Sequence, residues 1–321
     1  MDQSRALKHK LRNLGHTFVL IGGMSLLLAL CSELLFGDGV WYWVFLGVAF
    51  IIFTLPEVSS HWVLRLYQAR PLLPNAAPQL AMVIQELAQR AGLERKPGLY
   101  WIPSHTVNAF AVGTRNDAAI AVTDGLLQLL SPREIAGVLA HEISHIVNND
   151  MRLMGLADVI SRLTHMMSAV GILLVLLLLP LMLKGIGSIS ILAMLLLVAA
   201  PTLSALLQLG LSRIREFDAD LEASQITGDP EGLASALGKI EQHHRSFWKR
   251  IIFPGYRDPE PSLLRTHPDT GERIQRLLEL RDKPQSTGDP LTQLHTRPVI
   301  LPNRYRTVHR PPHRTILGVW R

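Results

Sequence analysis

Residues Ser131 to Asp150 read SPREIAGVLAHEISHIVNND, and this stretch decides the fold. Ser131 suits the N-cap of a helix, Pro132 its first position, and Glu134 stands three residues after the cap to close a capping box. A helix therefore starts here. Within it His141, Glu142 and His145 spell H-E-x-x-H. A four-residue step sets both imidazoles on one helix face, one turn apart, which is the spacing two ligands need to share a metal ion. The carboxylate beside the first His then reaches a water on that ion and serves as general base.

By chance alone an H-E-x-x-H is expected in roughly 2 of 100 chains of this composition. The rest of the chain must therefore decide between a metal site and a surface helix that merely carries two His. The composition points toward a membrane: 48% of the 321 residues are hydrophobic, and mean hydropathy is +0.22. The single cysteine, Cys31, can form no internal disulfide and offers no thiolate cluster. The net charge of +6 invites a nucleic-acid reading. It does not survive localisation of the charge, because the tail from Lys283 holds seven Lys/Arg against Asp289 and residues 1–282 balance at 25 of each sign. No nucleic-acid partner is expected.

Apolar runs cover Phe18–Leu35 and Trp41–Val58, with basic residues before the first and Asp38 between them. No A-x-A cleavage site follows the first run, so a membrane hairpin is preferred to a signal peptide. After Asp150 two further stretches lack Asp, Glu, Lys and Arg: 21 residues between Arg162 and Lys184, and 28 between Lys184 and Arg213. Each is long enough to cross about 30 Å of hydrocarbon as a helix. Four spans are thus expected in a mainly α, integral membrane protein. Lys/Arg residues cluster before span one and in the mixed segments, which sets both termini and those segments on the cytoplasmic side.

Between the hairpins, Asn75–Ala91 has a helical pattern, and three short runs, Leu99–Ile102, Asn108–Val112 and Ala118–Val122, read as strands of a small sheet. A short helix over Gly125–Leu130 leads into the H-E-x-x-H helix. Past span four the helix is expected to continue to Gly228, with further helices from Asp229-Pro230 toward His244 and over Thr270–Arg281. The organisation expected is a transmembrane hairpin over 1–60, a first catalytic segment over 61–158, a second hairpin over 159–212, a second catalytic segment over 213–282, and a basic, Pro-rich, disordered tail over 283–321.

A catalytic zinc site takes three protein ligands and leaves one position for water. Glu216 is the candidate third ligand, since it heads E-F-D-A-D on the helix leaving span four. Asp220, one turn on, shares its face and is placed to accept the free ring N–H of a ligating His. Asp218 and Glu222 are the competing carboxylates and point elsewhere on that helix.

HEISHIVNNDM, SRIREFDAD, NAFAVG and THPDTGERIQRL, in a chain with apolar hairpins before and between them, resemble the HtpX-type membrane zinc metallopeptidases, relatives of the CAAX prenyl endopeptidases. The resemblance runs from the first span to about Arg281. It implies a zincin-like α+β domain on the cytosolic face of a bacterial inner membrane. It also implies one Zn2+ held by His141, His145 and Glu216, Glu142 as base, and Asp220 supporting a ligand. The strand holding Asn108, Ala109 and Phe110 would receive substrate backbone by strand addition. His267 and Arg273 match later family positions near the scissile carbonyl. Asp269 departs from the proline the family often has there, and the tail matches nothing.

The function implied is endoproteolysis of unfolded or misfolded membrane proteins in quality control under stress, with the lipid bilayer as the other partner. Two alternatives stand beside it: a processing peptidase for lipidated proteins, and a non-catalytic membrane scaffold whose tail recruits a partner.

Overall fold

In the computed structural model of the protein, residues 3–54, 60–184, 190–250 and 270–280 are described. The chain falls into two compact units. The first comprises residues 1–57, 144–222 and 254–277; the second comprises 58–143, 223–253 and 278–321. The division passes through three unbroken helices.

The first unit is helical. It contains α1 (Gln3–Phe36), α2 (Trp41–Thr54), α7 (Asp150–Leu183) and most of α8 (Ile191–Thr227). Met24, Leu28, Val48, Leu156, Ala157, Ile160 and Leu211 form one buried cluster that joins α1, α2, α7 and α8. Leu27, Cys31, Leu197 and Ala200 form another. Outward-facing side chains are as apolar as these cores: Phe18, Phe50, Leu177 and Leu192 are all at least 64% exposed. A helix apolar on every side is solvated by lipid, not water.

Three of the described helices are long and apolar enough to cross a membrane, in segments Asn13–Phe36, Asp150–Pro180 and Ile191–Thr227. The sequence led us to expect four. Of the second expected span, Trp41–Val58, the described residues hold the 14-residue α2, and residues 55–58 lie outside them.

The second unit carries a four-stranded sheet in the order β1-β2-β4-β3. β2 (Gly98–Ile102) runs parallel to β4 (Asp117–Thr123), and β3 (Ala109–Thr114) runs antiparallel to β4 with Ala111 opposite Ile120. Sequence patterning anticipates these three strands within two residues. It misses β1 (Arg70–Pro71), whose two residues pair with Tyr100 and Trp101 and are too few to show a period. Gly113 sits at φ +94°, and a Cβ there would lie 1.9 Å from the Asp117 carbonyl oxygen, so only glycine closes the β3–β4 hairpin. Among the described residues β3 is an edge strand.

The remaining helices of this unit include α3 (Ser60–Leu66), α4 (Pro78–Arg90), α5 (Asp124–Leu129), the first part of α6 (Pro132–Asn148) and α9 (Pro230–Arg250). α4 buries Leu80, Val83, Ile84, Leu87 and Ala88, the stripe its periodicity predicts. α6 buries Ile135, Leu139, Ile143 and Ile146, each at most 2% exposed. Burying each contributes about 1.5–3 kcal/mol. At 100° per residue the His141 and His145 positions lie roughly 135° around the helix from that stripe, so the burial that fixes α6 also aims the imidazoles.

The start of α6 is pinned. The Ser131 backbone N–H donates to Glu134 Oε2 at 2.8 Å and the Glu134 N–H donates back to Ser131 Oγ at 3.4 Å, which completes the capping box. Glu134 also accepts from Ser235 Oγ at 2.5 Å and Lys239 Nζ at 2.8 Å on α9. Beside it Arg133 holds both carboxylate oxygens of Asp229, at 2.5 and 2.6 Å. Asp229 itself caps α9 through the Gly232 N–H at 3.0 Å. The two helices approach closely enough that a Cβ on Gly137 would meet the Leu233 backbone at 3.0 Å. Burial raises the Glu134 pKa, but the combined hydrogen bonds from Lys239, Ser235 and Ser131 outweigh it and hold the carboxyl below its ordinary 4.5.

A carboxyl whose pKa is depressed on folding contributes stability that is complete above its ordinary value and disappears as pH falls through the lowered one. Glu134→Ala should therefore cost about 2–3 kcal/mol at neutral pH. Thermal unfolding in detergent from pH 7 to pH 3 would measure it. The gap between Glu134→Gln and the unsubstituted protein should shrink only below pH 4.5.

Candidate metal centre

α6 is a single unbroken helix, and His141 and His145 stand one turn apart on it. Glu216 lies on α8, beyond the apolar part of that helix. A 37-residue helix is about 55 Å long, of which a bilayer core takes about 30 Å. Ligand atoms of His141, His145 and Glu216 all lie within 4.8 Å of one another. His145 Nε2 is 3.7 Å from Glu216 Oε1. Two ligands of a tetrahedral zinc stand about 3.4 Å apart, so this pair is spaced to share one ion, and two imidazoles with a carboxylate are a donor set that suits Zn2+. His141 and Glu216 are buried, at 5% and 7% exposure.

His145 and Glu216 are each held from behind. His145 Nδ1 lies 2.7 Å from Asp150 Oδ2, and Arg215 Nε donates to Asp150 Oδ1 at 2.5 Å. Arg215 Nη1 reaches Asp218 Oδ2 at 2.9 Å, and Asn13 of α1 donates to Asp218 Oδ1. On the other side Arg273, in α10 (Thr270–Glu279), pairs with Glu216 Oε2 at 2.9 Å, a contact that is an ion pair and not a well-aligned hydrogen bond. Its Nε and Nη2 bind both oxygens of Asp220, at 2.7 and 2.6 Å. Arg276 of the same helix lies over the Phe217 ring, 3.7 Å from its centroid.

The charges joined by these contacts are four carboxylates, Asp150, Glu216, Asp218 and Asp220, against two guanidiniums, Arg215 and Arg273. Asp150, Glu216, Asp220 and Arg273 are each at most 7% exposed. Donor type and spacing both fit a metal ion.

Glu142 extends beside His141 to the sheet. The Ala111 N–H of β3 donates to Glu142 Oε2 at 2.9 Å. Along an antiparallel strand alternate residues turn their N–H groups away from the partner, and Ala111 does so here, on the free side of β3. Asn108 is tied inward instead: its N–H donates to Thr123 Oγ1 at 2.9 Å and its carbonyl accepts from the same hydroxyl at 2.8 Å. Phe110 packs its ring 5.0 Å from Tyr67, and burial pushes the Tyr67 phenol pKa up.

A model of peptidase family M48 matches residues 74–281. The chain belongs to this family. Curated relatives named "Protease HtpX homolog" include one from Acaryochloris marina, 37% identical over 294 residues covering 85% of this chain and 91% of the relative. Another, from Paraburkholderia phytofirmans, is 36% identical over 73% of this chain and 86% of its own. "Protease HtpX" of Legionella pneumophila is 34% identical over 81% of this chain and 96% of its own. Among solved structures, that of S. mikatae Ste24p aligns with a TM-score of 0.43 at 20% identity, over 85% of this chain and 67% of that one. Membership in family M48 makes the chain a metallopeptidase, and its three long apolar helices make it a membrane protein.

Of the site residues anticipated from sequence, His141, His145 and Glu216 come together, and Asp220 lies one turn from Glu216. Asp150 is the carboxylate on His145 Nδ1, and both oxygens of Asp220 accept from Arg273. Arg273 is buried among acids. His267 lies outside the described residues. Asp150, Arg215 and Asn13 were not anticipated. The only signal for Asp150 is an acid directly after the Asn148-Asn149 helix stop, and an ordinary first-turn acid of α7 looks the same.

Removing Arg273 leaves Glu216 and Asp220 without their buried cation. Arg273→Ala should cost about 3–5 kcal/mol. Arg276→Ala, which breaks a half-exposed pair with Glu272 and the stacking on Phe217, should cost about 1 kcal/mol or less. Denaturant unfolding of the two variants in one detergent would compare them.

Proposed function

We propose that this protein is a zinc-dependent endopeptidase of the bacterial inner membrane. In this reading its catalytic segments and both termini lie on the cytoplasmic side, and it cuts unfolded or misfolded membrane-protein substrates as part of protein quality control. One observation carries the reading: Glu142 neighbours the His141, His145 and Glu216 cluster on one side and is hydrogen-bonded to the free edge of β3 on the other. The base is thus tied to a strand edge that can bind an extended peptide.

His141, His145 and Glu216 would hold the zinc. When bound, zinc supplies a Lewis acid that polarises the scissile carbonyl and makes a water acidic enough to ionise near neutral pH. Glu142 takes the proton from the attacking water and delivers it to the amine nitrogen as the C–N bond breaks. The β3 edge over Asn108, Ala109 and Phe110 pairs with substrate backbone, so recognition rests on main-chain hydrogen bonds and tolerates many sequences. A chain must be unfolded to offer a free strand, which is why unfolded proteins are the favoured substrate class. Arg273 holds Glu216 in place through their ion pair, and His267 with Arg273 would supply contacts to the scissile carbonyl.

Glu142→Gln should lower proteolysis of an unfolded membrane protein by roughly 10²–10⁴-fold while the purified protein keeps one zinc per chain. Glu216→Ala should lose the zinc. Full activity in Glu142→Gln with zinc bound would refute the mechanism; a metal analysis and a gel-based cleavage assay suffice.

A further inference from the structure

His145 is the ligand whose far side is best defined, and that far side leads away from the metal centre to the first membrane helix. Asn149, at φ +54°, ends α6 in the left-handed region, which Asn tolerates better than most side chains. The turn it makes starts α7 at Asp150 and returns that carboxylate to the last turn of α6. Asp150 is 3% exposed and holds His145 Nδ1 at 2.7 Å. A carboxylate in that place accepts the Nδ1–H, so the lone pair stands on Nε2, the atom that faces Glu216 Oε1 at 3.7 Å.

Asp150 is held in turn. Arg215 Nε takes its other oxygen at 2.5 Å, Arg215 Nη1 reaches Asp218 at 2.9 Å, and Asn13 Nδ2 donates to the remaining oxygen of Asp218. Every member belongs to the first compact unit, and together they join α1, α7 and α8 to the end of α6. Asn13 lies on α1 a few residues before its apolar run begins at Phe18, so the helix that carries the first membrane span takes part in the network. Asn13 thus stands four contacts from His145.

We propose that Asp150 is the positioning residue for His145, and that Asn13, through Asp218 and Arg215, makes the zinc affinity of the centre depend on the first membrane helix. This rests on the reading above in which His141, His145 and Glu216 hold the metal. Fixing the imidazole before the ion arrives removes ordering that binding would otherwise have to supply. A membrane helix distant in sequence thereby reports its docking to the metal centre.

The test is the zinc dissociation constant of the full-length protein in detergent, by competition with a chelator. Asp150→Ala should weaken zinc binding by roughly 10–100-fold, the range for removing the partner of a ligating His. Asp150→Asn keeps the shape and one acceptor oxygen; it should lose roughly threefold or more and carries the test if the alanine variant does not fold. Asn13→Ala should lose roughly threefold to tenfold. In the Asp150→Ala background it should lose nothing further, because both act through the one contact on Nδ1. Arg162→Ala, which breaks an exposed pair on α7, should leave the constant unchanged. Unfolding midpoints of the metal-free variants separate a general loss of stability, which does not change the constant measured on folded protein. Wild-type zinc affinity in Asp150→Asn or in Asn13→Ala, or additive losses in the double variant, would overturn the proposal. Zinc retained in His145→Ala and Glu216→Ala would instead overturn the metal assignment beneath it.

Discussion

Buried negative charge is the condition that the metal centre has to satisfy. Glu216, Asp220 and Asp150 are each at least nine-tenths buried, and carboxylates in such places are tolerated only when paired. Arg273 and Arg215 are chosen chemistry for the task, since a guanidinium stays charged and can hold two oxygens of fixed geometry at once. Each bridges two acids: Arg273 spans Glu216 and Asp220, and Arg215 spans Asp150 and Asp218. Metal binding and folding of this part of the chain are therefore coupled, as expected where a site's ligands are brought together only by the fold.

That coupling explains why the site is built on helices that continue out of apolar segments. Arg215, Glu216, Asp218 and Asp220 lie on one continuous helix, α8, with the part that lipid solvates, so helix geometry sets their angular relations. The helix presents Glu216 and Asp220 on one face, while Arg215 and Asp218, three residues apart, pair on a neighbouring one. A loop carrying the same four residues would have to order each of them separately, at about 1–2 kcal/mol of backbone entropy per residue.

Much of this was legible because it is local in sequence. The capping box at Ser131 and the two imidazoles of H-E-x-x-H depend on three- and four-residue steps that a helix fixes by itself. The β-strands near Leu99, Asn108 and Ala118 followed from alternation and turn residues. Glu216 was reachable by chemical need, since two His ask for a third donor and that helix offers no His. Asp150 was not reachable in that way: its approach to His145 exists only because Asn149 turns backward, and sequence shows the acid but not the turn. Arg273 and Asn13 are separated from their partners by 53 and 205 residues, so no spacing rule reaches them.

The free edge of β3 raises a problem that the same structure answers. An unpaired strand edge invites aggregation, and proteins usually blunt it with charge, a bulge or a cover. Here Glu142 supplies a charge at the centre of the edge, on the Ala111 N–H. In the proposed reading, the residue that acts as base is also the one that keeps the edge from pairing indiscriminately. An incoming strand that hydrogen-bonds along β3 would have to compete with Glu142 for Ala111, and in doing so would meet the base as its own backbone becomes aligned. Edge protection and catalysis would then be one arrangement seen in two states, since a segment that cannot form the strand would not reach the carboxylate in position to react.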